Sequence, residues 1–305
     1  MICARPDELQ DPSAAPVTDD PGLDENADTT DRDVDTGGDF HDRLKDEATR
    51  AWNLHTALYY KAGGTPWRLP RRSTDLATCH IGISFYRTAD RAELHTAVAQ
   101  VFNERGDGVV VRGGTATIEK ADRQPHLSAA GARGLLADAL SAFRRTHGHL
   151  PARVVLHKTS RFNEAEQDGF QQAADEKGID AVELLWIQRR AAPHLFRTGQ
   201  LPSLRGTTLQ LDAQSMVIYT RGSVEYFRTY PGMYVPQPLL VRAVSPNTDL
   251  LAAATDVLSL SKMNWNNAQL DERDPLTLRT ASQVGAILKH VPAGTHIANR
   301  YAYYM

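Results

Sequence analysis

The run from 152 to 188 constrains this chain more than any other stretch. ARVVLHKT (152–159) is a strand of bulky β-formers, residues 163–177 have helical spacing, and AVELLWIQ (181–188) is a second strand. A strand, a helix and a strand joined this way make a β-α-β unit, whose strands are parallel with the helix packed on the sheet. Just before it, residues 128–147 form the longest amphipathic helix. Leu135, Leu136, Ala139, Leu140 and Phe143 make its apolar stripe, Ser128 is the expected N-cap, and Gly148 follows its end.

The rest of the chain alternates in the same manner. HIGISFYR (80–87) reads as a buried strand, and 93–103 as a short helix or a strand. VVVRGGTATIEK (109–120) has two β-prone runs around Gly113-Gly114 and predicts a hairpin. MVIYTRG (216–222) and SVEYFRTY (223–230) predict another, after an irregular stretch at 189–213, and QPLLVRAV (237–244) a further strand. Helices are expected at 43–60, 247–260 and 277–290. Antiparallel strands followed by β-α-β imply an α/β fold, a mixed sheet with helices on both faces. An RNase H-like core has this order, as do some other α/β folds.

Charge divides the chain in two. Residues 1–39 contain twelve acids and two bases, whereas residues 40–305 contain 25 acids and 32 bases. The acidic segment, rich in Asp, Pro, Thr and Gly, cannot bury enough apolar surface to offset its chain entropy and is expected to be disordered. The body is modestly basic, which suits a polyanion-binding surface but also many inert domains. No apolar run reaches membrane-spanning length, and no secretory signal opens the chain. Two cysteines, Cys3 and Cys79, cannot make a disulfide framework, so a reducing, cytoplasmic setting is expected. The AGG at 62–64 and RGG at 112–114 lack Walker or dinucleotide spacing and read as turns.

Four segments go beyond pattern: AWNLHTALYYKAGGTPWRL (51–69), HIGISFYR (80–87), LHKTSRFNEAEQDGF (156–170) and LSLSKMNWNNAQLDERDPLTLRTA (258–281), with RYAYYM at the end of the chain. In order and spacing they resemble the PIWI domain of a prokaryotic Argonaute, over roughly residues 45–305. The resemblance implies an RNase H-like domain, 40–305, that holds a guide strand, RNA or DNA, and its paired target. Active members cut the target with two metal ions on a carboxylate-rich tetrad, because hard divalent cations need charged oxygen ligands. Here the first two aspartate positions fall on Ser84 and Thr159, the latter followed by Ser160. Glu104 aligns with the loop glutamate, and Asn266, Asn267 or Asp271 with the last position. The resemblance therefore implies a cleavage-deficient module and no enzyme. A residual metal site would require Glu104, Glu166 and Asp271 to converge.

The resemblance also implies that the carboxylate of Met305 reaches the guide 5′-phosphate through a Mg²⁺ ion, unless the terminal strand is only packed into the domain. Lys262, Asn264 and Arg300 lie in matching motifs and would contact guide phosphates; the alternative for Lys262 is a solvated helix-end lysine. Trp265 and Trp67 are expected in the core rather than stacked on bases, and His157 as a satisfied buried histidine. ICARPDEL (2–9) and DFHDRLK (39–45) resemble fragments of a MID domain whose phosphate-binding stretch has no counterpart here. The expected role is guide and target binding in prokaryotic defence against plasmids or phages, together with an effector. The alternatives are a protein-binding scaffold that docks on a MID-bearing partner, or a truncated or decayed Argonaute fragment.

Overall fold

The computed structural model describes residues 47–68, 76–88, 94–102, 108–190, 192–226, 230, 235–265, 272–292 and 295. The acidic segment 1–39 thus lies outside the described residues. In chain order the elements are α1 (Glu47–Lys61), β1 (Thr78–Arg87), β2 (Leu94–Phe102), β3 (Gly108–Val111), β4 (Thr117–Ile118), β5 (Pro125–His126), α2 (Ala129–His147), β6 (Arg153–Lys158), α3 (Glu164–Asp175), β7 (Ala181–Gln188), β8 (Thr208–Gln210), β9 (Ser215–Ile218), β10 (Leu239–Ala243), α4 (Leu250–Leu260) and α5 (Leu276–Leu288).

Eight strands form one mixed sheet in the order β3-β2-β1-β6-β7-β10-β9-β8. The β1-β6-β7 centre is parallel and the flanks are antiparallel. The expected crossover from β6 through α3 to β7 is present, with Val154 opposite Val182 and Leu156 opposite Leu184.

Alternation along the central strands divides the buried side chains between two faces. Ile81, Ile83, Val154 and Leu156 pack under α2 and α3 against Leu136, Leu140, Phe143 and Phe170. Val155, Leu185, Ile187 and Val241 face the other way, onto Ala253, Ala254 and Val257 of α4. Farther along that second face, α5 covers Tyr86 and Val110 with Ala281, Val284 and Leu288. Helix and sheet come into backbone contact at Gly82, where a Cβ would lie 2.1 Å from the Thr277 carbonyl oxygen.

Helix ends follow local chemistry. Ser128 Oγ accepts from Gly131 N, and Gly148 ends α2 at a φ of 79°. Asn163 and Glu166 form a capping box at the start of α3. Asp249 caps α4 through Leu251 N and Ala252 N. Among the described residues no helix is long and apolar enough to cross a membrane.

Both expected hairpins are corrected, and 93–103 resolves as a strand. β3 pairs with β2 rather than with the residues after Gly113-Gly114, because Val110 gains a buried place under α5 there. β4 is exposed and pairs instead with β5 across the turn at 119–124. With no buried face, nothing holds 117–118 against β3. Likewise β9 pairs with β8, inside the stretch read as irregular, and Ser223 bridges Leu204 in parallel. Gly222 allows that approach, since a Cβ there would lie 2.4 Å from the Ser203 carbonyl oxygen.

Candidate functional site

β1 and β6 are adjacent and parallel, with Ile83 opposite Lys158 as the last registered pair. Ser84 and Thr159 each follow that pair by one residue, so both candidate positions lie where the parallel β1–β6 pairing ends, Thr159 just past β6 and Ser84 in the last residues of β1, still paired with Val98 of β2. In an open α/β sheet the C-terminal edge of the parallel strands is where ligands bind. The groups offered there are neutral. Ser84 Oγ is buried without a hydrogen-bond partner among the described residues. Thr159 is partly exposed, and its carbonyl accepts from Trp186 Nε1 at 2.9 Å. Neither β1 nor β6 contains an acidic residue. Two hydroxyls do not fit a pair of hard divalent cations, which need charged oxygen ligands.

The face beneath α5 is a seam of polar groups. His80 and His157 lie 6.2 Å apart between ring centroids, and His157 Nδ1 bonds Thr277 Oγ1 at 2.8 Å. His80 Nδ1, Tyr86 OH and His157 Nε2 lack hydrogen-bond partners among the described residues. The expectation of a satisfied histidine therefore holds for one ring nitrogen of His157 and not for the other. Burial drives both imidazoles down to about 3; Arg153 adds to this at His80, and His80 itself does so at His157. Both rings are neutral near pH 7.

Glu166 does not reach this seam. It lies on the α2–α3 side, fully buried, where Lys158 Nζ donates to both its oxygens at 2.5 and 2.6 Å. The backbone N–H groups of Leu127 and Asn163 donate to it as well. Desolvation lowers the Lys158 ammonium to about 8 against the pull of Glu166. Its capping and ion-pair duties correct Glu166 as a member of a residual catalytic site; Glu104 and Asp271, its expected partners, lie outside the described residues.

Around the start of α5 the chain gathers charge from distant segments. Arg189 pairs with Asp274 at 2.9 Å, Arg279 with Glu272, and Arg221 with Glu272 at 3.8 Å. Arg273 donates to the carbonyls of Arg189 and Pro238, while Thr220 Oγ1 donates to the Arg273 carbonyl at 2.6 Å. Burial lowers the Arg273 guanidinium; Asp274 opposes this, and Arg189, Arg221 and Arg190 add to it. Burial would raise the Glu272 carboxyl, but Arg279, Asn264 and Arg221 hold it below the usual range. Among the described residues the cluster holds five arginines and two acids, Glu272 and Asp274. Sequence inspection missed it because its members are spread from 189 to 279 and only the sheet brings them together.

The expected phosphate contacts divide. Lys262 follows α4, its carbonyl accepts from Trp67 Nε1 at 2.9 Å, and partial burial followed by nearby Arg205 lowers its ammonium. Asn264 is buried and donates to Glu272 Oε1 at 3.1 Å, which links its segment to the arginine cluster. Trp265 is buried against Tyr60, ring centroids 4.6 Å apart, and Trp67 is half-buried. Asn266, Asn267, Arg300 and Met305 lie outside the described residues.

No protein-family profile and no curated protein sequence matches the chain. Solved structures do. Clostridium butyricum Argonaute bound to a guide DNA and a 19-mer target DNA aligns at 16% identity with a TM-score of 0.65, over 85% of this chain and 33% of that one. Aquifex aeolicus Argonaute aligns at 20% identity and a TM-score of 0.59, over 82% and 34%. Marinitoga piezophila Argonaute in complex with a 5′-OH guide RNA aligns at 12% and 0.56, over 82% and 35%. The chain spans about a third of the length of the Argonautes it matches. The sheet order, the two helical layers and these alignments give one conclusion: the chain has the PIWI-like fold found in Argonaute proteins.

Proposed function

We propose that this chain is a PIWI module that holds a guide strand and its paired target through their phosphates without cutting the target. The arginine excess at 189–190, 221, 273 and 279 carries this reading, since a sequence-blind grip on nucleic acid is built from Lys and Arg against phosphate. The fold supports it, because Argonautes of that fold have been solved with guide and target DNA and with guide RNA. Ser84 and Thr159 support the lack of cleavage, as neither can supply a charge to Mg²⁺. A Mg²⁺ between the Met305 carboxylate and the guide 5′-phosphate belongs to the same reading, as do a cytoplasmic role in prokaryotic defence and an effector partner.

The test is the affinity of the purified chain for a short single-stranded guide, RNA and DNA, with and without a 5′-phosphate. It is run at two salt concentrations, with Mg²⁺ and with chelator. Binding should weaken steeply with salt, and Arg190→Ala, Arg221→Ala and Lys262→Ala should each lower the log–log slope by about one unit. Cut target in Mg²⁺ or Mn²⁺ overturns the non-cleaving part. Equal, weak, salt-insensitive binding of every strand overturns the whole.

One observation favours a second reading. α1 exposes Trp52, Leu54, Leu58 and Tyr59, each half or more accessible, as a scaffold for a MID-bearing partner would. That reading predicts a stoichiometric protein complex broken by Trp52→Glu, with weak nucleic-acid binding by the chain alone.

A further inference from the structure

The turn between β4 and β5 carries Glu119 and Asp122, and β5 ends in His126. One ligand atom from each lies within 4.8 Å of the others. His126 Nε2 is 2.9 Å from Asp122 Oδ2 and 3.6 Å from Glu119 Oε2. The ring itself is buried, while both carboxylates are partly exposed.

What aims the ring lies outside the trio. His126 Nδ1 is 3.1 Å from Glu166 Oε2. Glu166 holds Lys158 on both oxygens, so it is an ionised acceptor whose charge is already balanced. Nδ1 must therefore be the donor in that bond. The other ring nitrogen then faces two carboxylates, at hydrogen-bond distance from Asp122, and a single cation among the three atoms would satisfy all of them. A buried histidine whose far nitrogen is tied to an outer carboxylate, with its near nitrogen beside acidic oxygens, is how proteins orient imidazole toward a metal. One nitrogen and two carboxylate oxygens suit a zinc-class divalent ion, with the exposed side left for water.

We propose that Glu119, Asp122 and His126 bind one divalent transition-metal ion of the zinc class, oriented from behind by Glu166. Its role is structural. Glu166 also accepts from Leu127 N just before α2 and from Asn163 N at the cap of α3, so the ion ties the β4–β5 turn to the start of both helices. The site uses residues on the α2–α3 side and none of the tetrad positions.

The experiment loads the metal-stripped full chain with Zn²⁺ and reads stoichiometry by elemental analysis, affinity by calorimetry and the melting temperature. Co²⁺ replaces Zn²⁺ for visible spectroscopy. The expected result is one ion per chain, a melting temperature raised by Zn²⁺, and affinity at least tenfold lower in Asp122→Asn and Glu119→Gln. Those two residues are partly exposed, so the variants keep the fold even if His126→Asn does not. No stoichiometric binding, or binding unchanged in both carboxylate variants, overturns the proposal. The first would mean that the three side chains satisfy one another without an ion, the second that the ion sits elsewhere.

Discussion

His80 and His157 sit under α5 with 6% and 0% of their surfaces accessible, and burial holds both imidazoles near a pKa of about 3. Unfolded, each would titrate at about 6.5. As pH falls below that value the unfolded chain takes up two protons that the folded one refuses, so stability is lost with acid and regained on neutralisation. At pH 5 the cost is about 2 kcal/mol per histidine, or about 4 kcal/mol for the pair, and at pH 7.5 it is about zero. Such a loss is a large part of the ~5–15 kcal/mol that holds a typical domain together. The assay is urea unfolding followed by tryptophan fluorescence from pH 7.5 to 5, for the parent chain and for His80→Gln/His157→Gln. The parent should lose about 4 kcal/mol more than the variant over that range. Imidazole proton NMR on the folded parent gives an independent reading. Parallel stability curves, or either ring titrating near 6.5 in the folded protein, would refute the reasoning.

Three further outcomes follow from packing and charge. Gly82→Ala should destabilise by about 3 kcal/mol, since the new Cβ meets the backbone of α5 and neither strand nor helix can yield; a shift in urea midpoint measures it. Lys158→Met should cost about 3–5 kcal/mol by stranding the Glu166 carboxylate in the core, and adding Glu166→Gln should recover part of that in the same assay. Asp249→Ala, which removes the α4 cap, should cost about 1 kcal/mol, read as a lower melting temperature.

Much of the fold was legible from local signals. α2 begins at Ser128 and ends at Gly148 as its caps require, and the 152–188 unit is parallel because a helix between strands leaves little choice. Trp265 was readable as a core residue. The 109–120 hairpin was misread because Gly-Gly marks a turn without naming the partner strand. That choice depends on which edge offers β3 a covered face, and α5, far along the chain, provides it with Ala281, Val284 and Leu288.

The candidate sites divide on the same line. Sequence alone decided that strands β1 and β6 carry histidines and no acidic residue, because side-chain chemistry is written residue by residue. Only the tertiary structure decided that Arg189, Arg221, Arg273 and Arg279 meet at one end of the sheet, and that Glu166 is spent on Lys158 while steering His126. Charges interact over a few ångströms of space, whatever the length of chain between them, so their pairing exists only once the strands and helices have packed.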